Sequence, residues 1–318
     1  MSRETEAHRR TTSSRQRIQM RERIAYSPIV DRPALHWPGG ARVAVWIVPN
    51  IELREYQPPN DPARDPWPRS PHPDVRQFSH HDYGNRVGFW RMLDILDRFE
   101  LPITASLNLE ILEQLPEIRD AIGERGWAVM SHGLTNTRYL YGLEAPAERA
   151  FYRRSVDLVR RHLSVPLLGM LGPSLSASER TPDLMAEAGL VYHADWAHDD
   201  QPVPIRVEAG RLISMPYSFE LNDAPLFRSH FDGDDLVRIC RAQLDRLLVE
   251  SEESGRVMCL AVHPFLIGAP HRARAFERVL AELSDRRDVW YATGDEIATH
   301  YLDHEQEHAR ATGPVAQL

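Results

Sequence analysis

Two histidines in this 318-residue chain stand where an apolar run ends and the backbone must turn. His132 follows Trp127-Ala-Val-Met130 and precedes Gly133. His263 closes Val257-Met-Cys-Leu-Ala-Val262 and precedes Pro264, whose ring restricts the chain beyond it. An imidazole at a strand end can act as acid, base or ligand near neutral pH, and one that caps so apolar a run needs partners for its ring nitrogens. Glu52 and Glu55 follow the apolar run Val43–Val48, and a carboxylate there can activate a water molecule. The stretch Asp195-Trp-Ala-His-Asp199-Asp200-Gln-Pro202 crowds three carboxylates together. They repel one another, so at least one needs a partner, and a histidine held by such a carboxylate becomes oriented and more basic. His80-His81-Asp82 has the residue types of a metal cluster, but adjacent side chains rarely converge on one site, so no metal is expected there. Arg86 carries a planar fork suited to an anionic or carbonyl-rich ligand.

The elements that must position these residues alternate between short apolar runs and amphipathic stretches. Strands are expected at Val43–Val48, Ile103–Leu107, Trp127–Met130, Leu167–Leu171, Leu190–His193, Leu212–Met215, Val257–Val262 and Val289–Ala292. Helical spacing is read at Arg86–Phe99, Ile111–Arg125, Pro146–Leu163, Asp234–Glu253, Arg272–Ser284 and Gly294–Tyr301, with another helix opening at Thr181-Pro182. Strands alternating with helices imply parallel pairing with the helices outside. The fold class expected is α/β, a distorted (β/α) barrel of about seven parallel strands, in which residues just past the C-terminal strand ends line the active site. That rule selects Asn50, Glu52, Asn108, His132, Gly172-Pro173, Asp195-Trp196 and His263. One domain over residues 28–303 is expected, between a polar, Arg-rich arm (1–27) and a tail (304–318). The Pro-rich stretch Gln57–Asp74 is long for a loop in a compact domain, which suggests a functional role.

Composition narrows the function classes. The chain is 42% hydrophobic, enough for a sizeable core. Its net charge of −8 argues against a nucleic-acid partner, which favours a basic surface. All 38 basic residues are arginine, so a Schiff-base lysine is excluded. Cys240 and Cys259 lie in no CxxC or Cys/His cluster and are expected as buried, reduced thiols. No apolar run is long enough to span a membrane, and Met1–Glu22 has no apolar core of a secretory signal, so a cytoplasmic protein is expected.

Taken in order, Ser131-His132-Gly133, Gly172-Pro173, Asp195-Trp196 with Asp199-Asp200, and Leu260-x-x-His263-Pro264 resemble the polysaccharide deacetylase (NodB homology) superfamily, from about Val43 to Thr293. Asp82-Tyr-Gly-Asn-Arg-Val-Gly-Phe-Trp90 and Asp195-Trp-x-x-Asp-Asp-Gln-Pro202 are similar to the branch that holds metal-independent allantoinases, cyclic imide hydrolases and some peptidoglycan deacetylase homologues. The resemblance implies a hydrolase of carbon–nitrogen bonds other than peptide bonds. The superfamily's metal site uses a paired-Asp motif after the first strand and an HxxxH pair. Here those positions read Pro49-Asn50-Ile51-Glu52, and Asn136 stands four residues after His132. Gly172-Pro173-Ser174 replaces the Arg-x-Pro segment of sugar-binding deacetylases. No cofactor is therefore expected, with zinc on Glu52 and His132 as the weaker alternative.

The expected mechanism has Glu52 activating water, His132 hydrogen-bonding the attacked carbonyl, and His263 protonating the leaving nitrogen. Asp199 or Asp200 would orient His263. Arg86, Asn108, Asn136, Pro173, Trp196 and Asp200 are expected to hold the substrate. The partner expected is a small molecule, a cyclic amide, ureide or imide, or an N-acetylated compound, with no nucleic acid and no membrane. The resemblance implies a homo-oligomer, tetrameric in many relatives of this branch. Two other readings compete: a metal-dependent N-deacetylase of an amino sugar or polysaccharide, and a non-catalytic, ligand-binding member of the superfamily.

Overall fold

The structure is a computed structural model that describes residues 20–59 and 73–312. Most of the stretch 57–74 and of the arm, and residues 313–318 of the tail, lie outside the described residues. Nine strands form one sheet: β1 (Val43–Ile51), β2 (Thr104–Leu107), β3 (Ala128–Ser131), β4 (Leu167–Met170), β5 (Tyr192–His193), β6 (Val203–Ile205), β7 (Leu212–Ser214), β8 (Arg256–Val262) and β9 (Val289–Tyr291). The path runs β6-β7-β5-β4-β3-β2-β1-β8, and β9 pairs with the first residues of β1. Every ladder is parallel except β6 with β7. The path therefore holds eight strands where about seven were expected. The extra one is β6, whose Val-Pro-Ile is too short and too interrupted by Pro204 to read as a strand in sequence.

β1 is the spine of the sheet. All nine of its residues are buried, as a strand covered on both faces requires. It pairs with β8 from Val43–Arg256 to Pro49–Val262 and hands its C-terminal end to β2 at Asn50–Ser106. The outer edge of β8 is covered by segments that are not strands. Leu221 O accepts from Ala261 N at 2.8 Å, and Asp200 O accepts from Val257 N at 2.8 Å. The parallel order puts the ends of β8, β1, β2 and β3 side by side, so Glu52, Asn108, His132 and His263 all emerge at one rim.

Helical segments differ from expectation where proline and glycine intervene. Ile111–Arg125 is two helices, Ile111–Gln114 and Pro116–Glu124, because Pro116 opens a new one. The helix expected at Arg86–Phe99 is the end of a longer run: Val75–Tyr83, a π-helical stretch Gly84–Gly88, then Phe89–Leu96. The reason for the widened turn is close packing. A Cβ on Gly88 would sit 2.0 Å from Pro264 O, and one on Gly84 would sit 2.8 Å from Phe265 N. The backbone just beyond His263 thus rests directly on these two glycines. Gly88→Ala should cost about 2–3 kcal/mol from overpacking against backbone that cannot rotate away. It should also lower turnover, because the His263 turn must shift. A chemical-denaturation midpoint equal to that of the parent protein would contradict this packing argument.

The termini correct the expected boundaries. Arg23, placed in the arm, is buried and forks onto Asp183 at 2.6 and 3.0 Å, while also donating to Arg206 O and Glu179 O. At the other end, the last helix runs Gly294–Thr312, into the stretch expected as tail. Cys240 and Cys259 are free and buried, and burial pushes both thiols up, that of Cys240 to about 12.

Candidate active site

A cleft of about 1200 Å³ opens at the rim where β1, β3 and β8 end. At its floor is the Glu52 carboxylate, 7% exposed, with three imidazoles around it. His81 Nε2 lies 3.1 Å from Glu52 Oε2; His132 Nε2 and His263 Nε2 lie 3.6 and 3.5 Å from Oε1. The far nitrogen of each ring meets an acceptor. His81 Nδ1 faces Gln77 O at 2.8 Å, His132 Nδ1 faces Leu171 O at 3.1 Å, and His263 Nδ1 faces Asp223 Oδ1 at 2.6 Å. A carbonyl or a carboxylate can only accept, so Nδ1 carries a proton in all three rings and Nε2 is left to exchange protons with the cleft. Phe265 packs against His81 and His263, with ring centroids 4.0 and 5.4 Å away, and fixes both ring planes.

Asn108 explains how Glu52 and His132 keep their spacing. It ends β2, between β1 and β3, and is fully buried. Its Oδ1 accepts from Leu53 N at 2.7 Å, and its Nδ2 donates to His132 O. One amide thus ties the residue after Glu52 to the backbone of His132. Asn136 N donates to Leu53 O at 2.8 Å and closes the same loop from the other side.

Electrostatics separate the roles of the two key groups. Burial opposes ionisation of Glu52, yet the imidazoles of His132 and His81 and the charge of His263 outweigh it. They hold the carboxyl well below the usual carboxylate range. Burial likewise opposes protonation of His263, but the charge and hydrogen bond of Asp223, helped by Glu52, raise its pKa; Arg228 works the other way. The resting site therefore favours an ionised Glu52 facing a protonated His263, an acceptor and a donor 3.5 Å apart.

Several sequence expectations need correction. Asp199 does not orient His263. It receives a two-pronged contact from Arg32 at 2.6 and 2.7 Å, away from the cleft. Asp223 takes that role: Oδ2 accepts from His263 N at 2.9 Å while Oδ1 holds the ring. Asp200 and Trp196 line a separate hollow beside Asp199, and Trp196 Nε1 donates to His193 Nδ1 at 3.2 Å. Arg86 is exposed and paired with Asp82 at 2.5 Å. Pro173 is buried against Gly133; its neighbours Ser174 and Leu175, both in the left-handed region, face the cleft instead. Asn108 is a positioning residue and does not line the cleft. Asn136 does line it, and its Oδ1 is buried without a hydrogen-bond partner.

Two functional residues escaped sequence reasoning. His81 was set aside because adjacent residues rarely share a site, yet the helix Val75–Tyr83 brings it onto Glu52. Asp223 begins the helix Asp223–Arg228, and it sits 40 residues before the ring it holds, with no local signal to connect them.

The fold class raises the question of a metal. The Nε2 atoms of all three imidazoles face the same carboxylate. Among the described residues no group of three or more His, Cys, Asp or Glu side chains has a spacing that could hold a metal ion. No step below passes through a metal.

No protein-family profile matches the chain. It is 26% identical over 294 residues, 82% of this chain and 91% of the other, to a provisional polysaccharide deacetylase of Schizosaccharomyces pombe. Among solved structures, a provisional polysaccharide deacetylase from Mycobacterium smegmatis superposes with a TM-score of 0.73 at 26% identity, over 86% of this chain and 95% of that one. The chain is thus similar to polysaccharide deacetylases in sequence and in fold. It also shares its fold with PuuE allantoinase, at a TM-score of 0.74 and 24% identity over 86% of this chain and 94% of that one. No helix among the described residues is long and apolar enough to cross a membrane.

Proposed function

We propose that the protein is a hydrolase of carbon–nitrogen bonds that opens a small cyclic amide, ureide or imide without a metal. The observation that carries this reading is the buried Glu52 carboxylate held among three imidazoles, with His263 oriented by Asp223. A substrate carbonyl enters between His132 and Asn136. Glu52 takes a proton from water as the water oxygen bonds to the carbonyl carbon. The oxyanion that forms is stabilised by His132 in its imidazolium form, with one proton on Nδ1 toward Leu171 O and the second on Nε2 toward the oxyanion. His263 then gives its Nε2 proton to the leaving nitrogen as the carbon–nitrogen bond breaks. The products are a carboxylic acid, which ionises, and the protonated leaving nitrogen as an amine, amide or urea according to whether the ring was an amide, imide or ureide. Glu52 returns its proton to His263 across the short gap between them, and the site is reset. In a cyclic substrate the leaving nitrogen stays tethered, so the donor need act only once per turnover.

A second reading is N-deacetylation of an amino sugar. The size of the cleft favours it, since a single small ring fills only part of about 1200 Å³, as does the name of the Schizosaccharomyces relative. A homo-oligomer is part of the first reading and rests on the resemblance alone. Allantoin, hydantoins, cyclic imides and N-acetylated sugars, each assayed with and without EDTA, separate the two. Ring opening unaffected by EDTA is the expected result. Acetate release that disappears with EDTA and returns with Zn²⁺ would replace the first reading by the second.

A further inference from the structure

The cleft carries far more positive charge than the chemistry at its floor requires. Arg54, Arg76, Arg228 and Arg272 line it, whereas Glu52 is the only carboxylate among the described lining residues. None of the four arginines has a carboxylate partner among the described residues. Elsewhere arginine is commonly neutralised in this lysine-free, acidic protein: Arg98, Arg125, Arg138 and Arg149 each meet a carboxylate within 2.7 Å. Three of the unpaired ones stand close to histidines of the cleft. Arg228 is near enough to His263 to oppose its protonation, and Arg76 and Arg272 both act on His80 in the same way. Arg272 is half-buried, its guanidinium 4.1 Å above the Phe227 ring. The carboxylate close to it, Asp223, has both oxygens committed to His263. A guanidinium taken partly out of water without a counter-charge is a standing cost, and an incoming anion relieves it.

We infer that the substrate bears a carboxylate next to the scissile amide, received by Arg228 and Arg272 on the His263 side of the cleft, with Arg76 behind them. This rests on the hydrolase reading and names its substrate class: an anionic cyclic amide or ureide. The planar forks match a carboxylate through paired N–H donors, and the Phe227 face keeps Arg272 from swinging into solvent. A fixed anion there would place the ring over Glu52 and leave its nitrogen toward His263.

The test compares hydantoin-5-acetate with its methyl ester on the full chain, in the parent protein and in an Arg228→Gln/Arg272→Gln variant. The expected result is a kcat/KM for the acid at least about tenfold above that for the ester. The preference should lie in KM, weaken with added salt, and vanish in the double variant. Equal opening of acid and ester would overturn the inference and leave the hydrolase reading standing, as would a preference that survives in the double variant. If neither compound is opened, the pair is titrated calorimetrically. Tighter binding of the acid by the parent protein, lost in the variant, would keep the anion site and sink the ring-opening reading. Identical binding would overturn the anion site as well.

Discussion

Glu52→Gln should lower turnover by about 10²- to 10⁴-fold while leaving the fold in place. The substitution is isosteric and removes only the charge. No other carboxylate among the described residues lines the cleft, so no neighbour can take over proton abstraction from water. The three imidazoles would lose their common counter-charge, and His263 would keep only Asp223. The variant should also respond differently to acid. Glu52 has a depressed pKa in the folded state, so its contribution to stability is present above about pH 4.3 and is lost as pH falls through the lower folded value. Melting temperatures of the two proteins should therefore converge as pH is lowered. A Gln variant that retains activity within tenfold of the parent on a true substrate would show that another group is the base.

Asp223→Asn should reduce kcat by about 10²-fold, the share of catalysis that a positioned acid supplies. Asp223 holds His263 through both the backbone N–H and ring Nδ1, so the amide can satisfy one and misplace the other. The pH profile carries the sign. Asp223 raises the pKa of His263, and the protonated ring is the active form. Removing the charge lowers that pKa, so the alkaline limb of kcat/KM should move to lower pH. The same shift bears on stability. A raised folded pKa contributes stability that is fully present below about pH 6.5 and is lost as pH rises through the folded value. The destabilisation of the Asn variant should therefore be largest in mildly acidic solution. Asp199→Asn serves as the contrast: it breaks the fork from Arg32 and should lower the melting temperature, with turnover within twofold of the parent. If Asp199→Asn instead removed activity and Asp223→Asn did not, the orientation of His263 described above would be wrong.

Much of the site is legible at strand ends because that signal is local. Glu52, His132 and His263 each follow an apolar run that must be a buried strand, and a polar group at that point lies at the rim. The partner of His263 is not legible in this way. Asp199 and Asp223 look equally able to hold a histidine in sequence, and they differ only in where their loops travel. The segment after β7 runs along the open edge of β8, bonded at Ala261, and delivers Asp223 to His263. The segment after β5 bonds lower down, at Val257, and leaves Asp199 to Arg32. Arg86 misled for a related reason. Its type suits an anion, but the π-helical turn at Gly84–Gly88 points it outward, while Arg228 and Arg272 arrive from helices distant in sequence.

The sequence by itself determined that alternating strands and helices make an α/β sheet and that two histidines and a glutamate cap its strands. These are properties of short stretches, set by hydrophobic period and residue type. Only the tertiary structure decided that His81 joins them, that Asp223 rather than Asp199 orients His263, that Asn108 is a clamp, and which arginines face the cleft. Those outcomes depend on strand order and on glycine-permitted contacts between segments far apart in the chain, and no local pattern encodes them.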